Sequence, residues 1–241
     1  MKLYDALAGW YTLLTPLADY AEEAAQYRAV LRDALGPGRH TLLELGAGAG
    51  HNAHYLADDF DLTLTDLSPR MLELARVSCP GATLAVGDMR TLRLGRTFDA
   101  VFVHDALCYM CSERDLAAVF ETARAHLRPG GVLVAAPDHV TETFEAGTDE
   151  GGSDGAGRSL RYLEWAWQRE GQRDGYVVDY AIMTRVGDEL PVVHHDRHEE
   201  GLFPRATWER LLDAAGFEAA RVGWSHSEVA RELELFVARA R

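Results

Sequence analysis

The stretch LLELGAGAG, residues 42–50, joins a short apolar run to three closely spaced glycines. Such a run is typical of a buried strand, and glycine lets the following turn adopt positive φ and approach a ligand closely. The amide groups at the start of the next helix then point back at the turn. We therefore predict a strand, a ligand-binding turn and a helix in this order.

Five strand-like runs alternate with helical patterns between residues 41 and 138; the runs are 42–45, 62–65, 83–86, 98–103 and 132–136. This alternation indicates βαβ units and a parallel sheet with helices on both faces. Two later runs, 217–224 and 233–238, are expected to close the sheet. We predict an α/β fold, a Rossmann-like, doubly wound, mostly parallel seven-stranded sheet, with the ligand beyond the carboxyl ends of its strands.

Charge and composition exclude several kinds of partner. The 241-residue chain has 38 acidic and 24 basic side chains and a formal net charge of −14 at pH 7. This field repels phosphate, so we predict neither nucleic acid nor a membrane as a partner. The chain has no run of 18 apolar residues and no signal-peptide pattern, which favours a cytoplasmic location. Cys79, Cys108 and Cys111 are too few for a disulfide framework, and we interpret them as structural thiols.

The spacing of the glycines restricts the ligand. It is G-x-G-x-G, whereas a dinucleotide fingerprint needs its third glycine at the position of His51. A nucleoside-like ligand without a pyrophosphate fits better. Asp66 follows the second run and can accept hydrogen bonds from both ribose hydroxyls. Asp88 and Met89 follow the third run, where they could bind an adenine amino group and cover the ring.

These motifs together resemble those of the class I S-adenosylmethionine-dependent methyltransferases. The matching segments are ELGAGAG (44–50), DLS (66–68), GDMR (87–90), FD (98–99) and LRPGG (127–131). The resemblance implies the cofactor S-adenosylmethionine, with the glycine turn under its methionine part, Asp66 on its ribose and residues 87–89 facing its adenine. An N-terminal aromatic, here Tyr11, closes over the cofactor in the small-molecule branch that the chain resembles.

The implied cofactor site consists of Tyr11, Glu44, Gly46, Ala47, Gly48, Asp66, Leu67, Met71, Asp88, Met89 and His104. The chain is also loosely similar to N-methyltransferases that act on nucleotide-linked amino sugars. We expect N- or O-methylation of a small molecule. A Rossmann-type NAD-dependent oxidoreductase and a non-catalytic S-adenosylmethionine-binding protein remain alternatives.

Polar residues at the fourth strand end are candidates for the reaction itself. Methyl transfer from a sulfonium depends mainly on alignment, and a base is needed only if the acceptor arrives protonated. His104 is our candidate base because imidazole titrates near neutral pH; the alternative is that it packs or binds the cofactor. The predicted substrate-binding residues are Asp105, His139, Trp165 and His194.

We interpret the chain as one domain with four parts. These are an N-terminal helical cap (1–38), a cofactor-binding core (39–138), an antiparallel β insertion or lid (139–203) and a C-terminal helix with closing strands (204–241). Apolar alternation predicts about three strands in the insertion. The glycine-rich and acidic residues 145–157 have nothing to bury and are predicted to form a mobile loop.

Two features of the insertion have more than one interpretation. In a strand His194, Asp196 and His198 would share one face, as metal ligands can, but such residues also border polar pockets, and we predict no metal. Trp165 and Trp167 could stack on a substrate, or they could form a packed or interface face. An exposed β face of this kind could pair two chains into a homodimer.

Overall fold

The computed structural model describes the backbone of all 241 residues and every side chain except those of Ala230 and Arg231. The helices are α1 (Tyr11–Leu14), α2 (Ala21–Leu35), α3 (His51–Leu56), α4 (Pro69–Ser78), α5 (Glu113–Ala125) and α6 (Arg205–Ala214). The strands are β1 (His40–Leu45), β2 (Phe60–Asp66), β3 (Thr83–Val86), β4 (Phe98–His104), β5 (Leu127–Ala136), β6 (Gly147–Gly151), β7 (Asp154–Gly155), β8 (Arg158–Trp167), β9 (Gly175–Val186), β10 (Val192–Gly201), β11 (Phe217–His226) and β12 (Val229–Ala240). None of the helices described is long and apolar enough to cross a membrane.

The first sheet has seven strands in the order β3-β2-β1-β4-β5-β12-β11. Strands β1 to β5 run parallel, and β12 pairs antiparallel with both β5 and β11. The predicted α/β fold with a mostly parallel seven-stranded sheet is therefore confirmed. Strand order reverses between β1 and β4, so the carboxyl ends of these neighbouring strands open a crevice for a ligand.

Helices cover both faces of this sheet and form two apolar cores. On one face, Tyr27 and Leu31 of α2 pack with Leu56 of α3 against the strands. On the other, Phe120 of α5 packs against Trp208 of α6. Burying one such side chain contributes about 1.5–3 kcal/mol, so the two cores hold the strand ends rigidly in place.

The second sheet is antiparallel and contains five strands. Its order is β10-β9-β8-β6, and β7 also pairs with β8. The prediction of a mobile loop over residues 145–157 was wrong, because β6 and β7 lie there. Strand β6 is exposed and buries no apolar face, so only backbone hydrogen bonds to β8 define it and its side chains carry no strand pattern. The insertion therefore has five strands instead of about three.

The N-terminal segment lies against the second sheet. Leu3 and Leu7 pack against Leu160 and Ile182 on the inner face of this sheet. The backbone N–H of Leu3 also donates to Asp196 Oδ2 at 2.9 Å. Short 3₁₀ turns at Ala8–Trp10 and Leu17–Tyr20 flank α1, so the segment reaches from the second sheet to α2.

Candidate functional site

The glycine turn follows β1 and lies against the segment after β4. Gly46 has φ +72°, and a Cβ there would overlap the Cβ of Ala106. The N–H of Ala47 donates to the carbonyl oxygen of Thr65 at 2.9 Å, which ties the turn to β2. Positive φ and close backbone approach both require glycine. The turn thus forms a fixed floor at the carboxyl ends of β1, β2 and β4.

Asp66 ends β2 and faces the same turn. Its carboxylate accepts the backbone N–H of Gly48 at 2.9 Å and that of Ser68 at 2.7 Å. Burial raises the pKa of Asp66, and the hydrogen bonds from these two amides oppose the rise. Each carboxylate oxygen has more than one acceptor site, so Asp66 can still bind hydroxyl donors while the backbone holds it.

Tyr11 covers the turn from the N-terminal segment. Its hydroxyl lies 4.0 Å from where a Cβ on Gly48 would be, and its ring centroid is 5.8 Å from that of His51. Burial raises the pKa of Tyr11, which hydrogen-bonds Tyr20. The turn is therefore the floor of a site that the Tyr11 ring covers.

Glu44 and Met71 are buried beside the turn. Glu44 is only 4% exposed, burial raises its pKa to about 8, and its Oε2 has no hydrogen-bond partner among the residues that the structure describes. The sulfur-bound methyl carbon of Met71 is 3.8 Å from where a Cβ on Gly48 would be, and the side chain is fully buried. Met71 therefore packs against the turn in the same cluster as Tyr11, whereas Glu44 is a buried acid that still needs a partner.

The remaining predicted cofactor residues lie at the ends of β2 and β3. The N–H of Gly87 donates to the carbonyl oxygen of Asp66 at 3.0 Å, which brings the two strand ends together. Leu67 is 66% exposed, and Met89 is half-buried and packs against the core. Asp88 pairs with Arg90 at 2.6 Å, and this hydrogen bond lowers the pKa of Asp88.

An ion-paired histidine ends β4. His104 Nε2 lies 2.8 Å from Asp105 Oδ1 and 3.5 Å from Glu23 Oε2, while the Asn52 amide lies 3.1 Å from Nδ1. Burial lowers the pKa of His104, but the negative charges of Asp105 and Glu23 raise it by more than burial lowers it. The resulting pKa is about 9. Asp105 has φ +52°, which is unusual for a residue other than glycine. Glu23 and Asn52 lie on α2 and α3, and the motif at β4 gave no sign of them.

A cavity of about 400 Å³ lies between these strand ends and the inner face of the second sheet. Eight of the nine tyrosines line it, and no arginine or lysine is among its described lining side chains. Its carboxyl groups belong to Glu23, Asp105, Asp138, Glu164 and Glu200. Because these carboxyl groups outnumber the protonated His104 in the lining, the cavity suits a small cationic group.

Hydrogen bonds connect several of these groups across the cavity. Asp138 hydrogen-bonds Asp105 and Cys108, and Glu200 hydrogen-bonds Cys108 and Tyr176. The ligand atoms of Cys108, Asp138 and Glu200 lie within 4.8 Å of one another. Sequence reasoning missed Asp138, Cys108 and Glu200. Glu200 could have been found from the period-2 alternation that runs through Asp196 and His198.

The histidines of β10 have separate partners. His194 Nε2 lies 3.0 Å from Thr184 Oγ1, whereas His198 Nε2 lies 3.3 Å from Asp196 Oδ2. His198 Nδ1 lies 3.1 Å from the Tyr109 hydroxyl oxygen. Among the residues that the structure describes, His194, Asp196 and His198 do not gather their ligand atoms into one close group.

The four predicted substrate-binding residues lie in different places. Asp105 and His139 line the cavity. His194 does not line it and lies farther along β10. Trp165 is 53% exposed on the outer face of β8, while Tyr162 and Glu164 face the cavity from that strand. The placement of Trp165 fits an interface, the other interpretation of the tryptophans, and does not fit stacking on a substrate in this cavity.

Comparison with known proteins identifies the family. A methyltransferase-domain model matches residues 42–131. The dTDP-3-amino-3,6-dideoxy-alpha-D-glucopyranose N,N-dimethyltransferase of Streptomyces fradiae is 34% identical over 201 residues, which cover 82% of this chain and 77% of that protein.

Solved structures agree with this match. The crystal structure of Streptomyces venezuelae DesVI has a TM-score of 0.82 and 28% identity, and covers 99% of this chain and 97% of that one. The SAM-bound amino pentose methyltransferase CalS10 of Micromonospora echinaspora has a TM-score of 0.76 and 30% identity, with 92% of each chain covered. The methyltransferase prediction is confirmed over its two alternatives. This chain belongs to the class I S-adenosylmethionine-dependent methyltransferases, as an enzyme that methylates a small molecule.

Proposed function

We propose that this enzyme methylates the amino group of a nucleotide-linked amino sugar. One observation carries the proposal: five carboxyl groups and no described arginine or lysine line the cavity. At neutral pH an alkylamine is an ammonium ion, which such a lining attracts, whereas a neutral hydroxyl gains little from it. The relative from Streptomyces fradiae, by its name, methylates an amino sugar. The nucleotide diphosphate would lie outside the cavity, because its charge is repelled there.

The cofactor fits the site on the first sheet. We propose that Gly46, Ala47 and Gly48 lie under its methionine part, with Tyr11 above and Asp66 on its ribose. Glu44 supports this fit, because it stands two residues before Gly46 in β1 and its buried Oε2 has no hydrogen-bond partner among the described residues. The adenine would meet Leu67, Asp88 and Met89, while Met71 would pack against the turn and support it. S-adenosylmethionine supplies an electrophilic methyl group, and the turn and Tyr11 orient it and exclude water.

We propose that the whole chain forms one catalytic unit of the four parts inferred from the sequence. The N-terminal segment, the first sheet and the second sheet all contribute to the cavity wall, through Tyr4, His104 and Glu200 respectively. The three free thiols suit a reducing compartment such as the cytoplasm.

The role of His104 as a general base remains a prediction, with a condition attached. A pKa of about 9 leaves the imidazole protonated at neutral pH, and a protonated imidazole cannot accept a proton. His104 could act as base only after it loses this proton on ligand binding. Its ion pairs with Asp105 and Glu23 favour a different contribution, in which His104 holds Asp105 in place.

A competition between acceptors tests the proposed function. We expect the enzyme to methylate dTDP-3-amino-3,6-dideoxy-alpha-D-glucopyranose and to leave the matching 3-hydroxy sugar unchanged, because only the amine is a cation. Mass spectrometry of the products with S-adenosylmethionine present measures both reactions. Methylation of the hydroxy sugar alone would refute the proposal.

We also propose that the outer face of the second sheet pairs two chains. Leu163, Trp165, Met183 and Val193 are each between 43% and 53% exposed. We expect light scattering to show a dimer that Trp165→Glu converts to a monomer, because a buried unpaired charge is costly. Val77→Glu is the matched control, since Val77 is 81% exposed on α4, and this variant should stay dimeric. A monomeric wild type would end the proposal.

A further inference from the structure

Glu200 occupies a distinctive place in the cavity wall. It lies on β10 directly opposite Tyr176 in the strand register and hydrogen-bonds it. Glu200 is only 7% exposed, and its carboxyl lies within 4.8 Å of the ligand atoms of Cys108 and Asp138. Asp138 in turn hydrogen-bonds Asp105 at the end of β4. Glu200 thus reaches from the second sheet towards the strand end that carries His104.

The cavity carboxyls differ in the proton affinity that their surroundings impose. Burial raises the pKa of Asp105, but the interaction with His104 lowers it by more, to about 2. Asp105 therefore stays ionised and is a weak base. Burial and the neighbouring Asp105 raise the pKa of Asp138 well above its ordinary value, and Asp138 hydrogen-bonds Asp105. Burial raises the pKa of Glu200 to about 7. Burial also raises the pKa of Glu23 and of Glu164. A general base works best when its pKa lies near the working pH, and Glu200 combines such a pKa with a place in the cavity wall beside Cys108 and Asp138.

We propose that Glu200 is the general base that removes a proton from the ammonium group of the acceptor. The inference rests on the proposed function, since it presumes an amine. The ammonium N–H bond breaks, the proton passes to a Glu200 carboxylate oxygen, and the nitrogen keeps the electron pair. That pair forms the new N–C bond to the methyl carbon as the C–S bond breaks and its electrons stay on sulfur. Glu200 returns its proton to solvent before another methyl transfer.

The groups that face Glu200 come from every element packed against it. They are Tyr176 and Tyr180 of β9, Glu164 of β8, Asp138 after β5, Asp105, Cys108 and Tyr109 after β4, Tyr4 of the N-terminal segment, and His198 of β10. The base must be ionised to act. Activity should therefore be present above the pKa of Glu200 and lost as pH falls through about 7.

Glu200→Gln tests the inference, because glutamine keeps the size and the contact with Tyr176 but cannot accept the proton. We expect kcat for the dTDP-linked 3-amino sugar to fall on the order of 100-fold or more. The loss of kcat/KM below pH 7 that we expect of the wild type should be absent from this variant. Glu200→Asp should recover part of kcat and keep the acid limb of the pH profile.

Glu164→Gln is the matched control. Glu164 lines the same wall, and its substitution also removes one carboxyl. If Glu164 acts only as part of the acidic lining, KM should rise several-fold while the midpoint of the acid limb stays in place. Calorimetric titration with S-adenosylhomocysteine shows whether each variant retains its fold and cofactor site.

The outcomes separate the inference from the proposed function. A Glu200→Gln variant with kcat and an acid limb like those of the wild type overturns the role of Glu200, while the wild type still methylates the amine. If Glu164→Gln loses the acid limb of the pH profile to the same extent, the role of Glu200 as base is also overturned. The fall in activity at low pH would then depend on the total charge of the cavity and not on Glu200. A wild type that methylates only the hydroxy sugar refutes the proposed function instead.

Discussion

Replacing Gly46 with alanine should weaken binding of S-adenosylmethionine on the order of 100-fold or more. A side chain at φ +72° is strained, and its Cβ would overlap Ala106, so the segment carrying Asp105 must move. Left-handed strain costs about 1–2 kcal/mol and overpacking about 1–3 kcal/mol, and each 1.4 kcal/mol corresponds to a tenfold change. Isothermal titration with S-adenosylmethionine measures the loss.

Two further variants make this result specific to the turn. Gly130→Ala has nearly the same strain, at φ +75°, but meets no atom within 4 Å and lies away from the site, so its affinity should match the wild type. Gly48→Ala has only ordinary contacts with the protein, 3.8 Å from Met71 and 4.0 Å from Tyr11, and should fold even if Gly46→Ala does not. Unchanged cofactor affinity in Gly48→Ala would contradict the proposed position of the cofactor above the turn.

Replacing His104 with glutamine should lower the free energy of unfolding by roughly 3 kcal/mol at pH 7, because Glu23 and Asp105 lose their buried cationic partner. The effect should depend on pH. The folded pKa of His104, about 9, exceeds the ordinary value of 6.5, so its stabilisation is complete below pH 6.5 and is lost as pH rises through 9. Urea unfolding at several values between pH 6 and 9.5 measures the difference between wild type and variant.

His54→Gln provides the control for this experiment, since His54 is an exposed histidine on α3. Its stability should follow the wild type across the same pH range. Turnover of the amine should also fall in His104→Gln while S-adenosylhomocysteine still binds. Unchanged turnover would remove His104 from catalysis, and a pH-independent stability difference would show that the ion pairs do not hold the imidazole protonated.

The strand ends that carry the proposed cofactor site could be predicted from sequence because their signals are local. Gly46 to Gly50, Asp66 and Asp88 each follow a strand directly, and parallel strands bring their carboxyl ends to one edge. Composition and spacing alone therefore predicted the fold. Hydrophobic alternation failed only where a strand buries nothing, as in β6, which forms through backbone pairing with β8.

The proposed acceptor cavity could be predicted only in part, through Asp105 and His139, because it forms between distant segments. Glu23, Asp138 and Glu200 come from α2, the residues after β5 and β10, and no motif links them. Histidine chemistry was also misleading by itself. An isolated imidazole titrates near pH 6.5, but Asp105 and Glu23 raise the pKa of His104 to about 9.

By itself, then, the sequence determined the parallel sheet, the glycine turn and the class of cofactor, because local backbone geometry and hydrophobic period specify them. Only the tertiary structure decided which carboxyl groups share the cavity and which of them can take a proton. Proton affinity depends on burial and on neighbouring charge, and both arise only when the second sheet closes over the ends of the first.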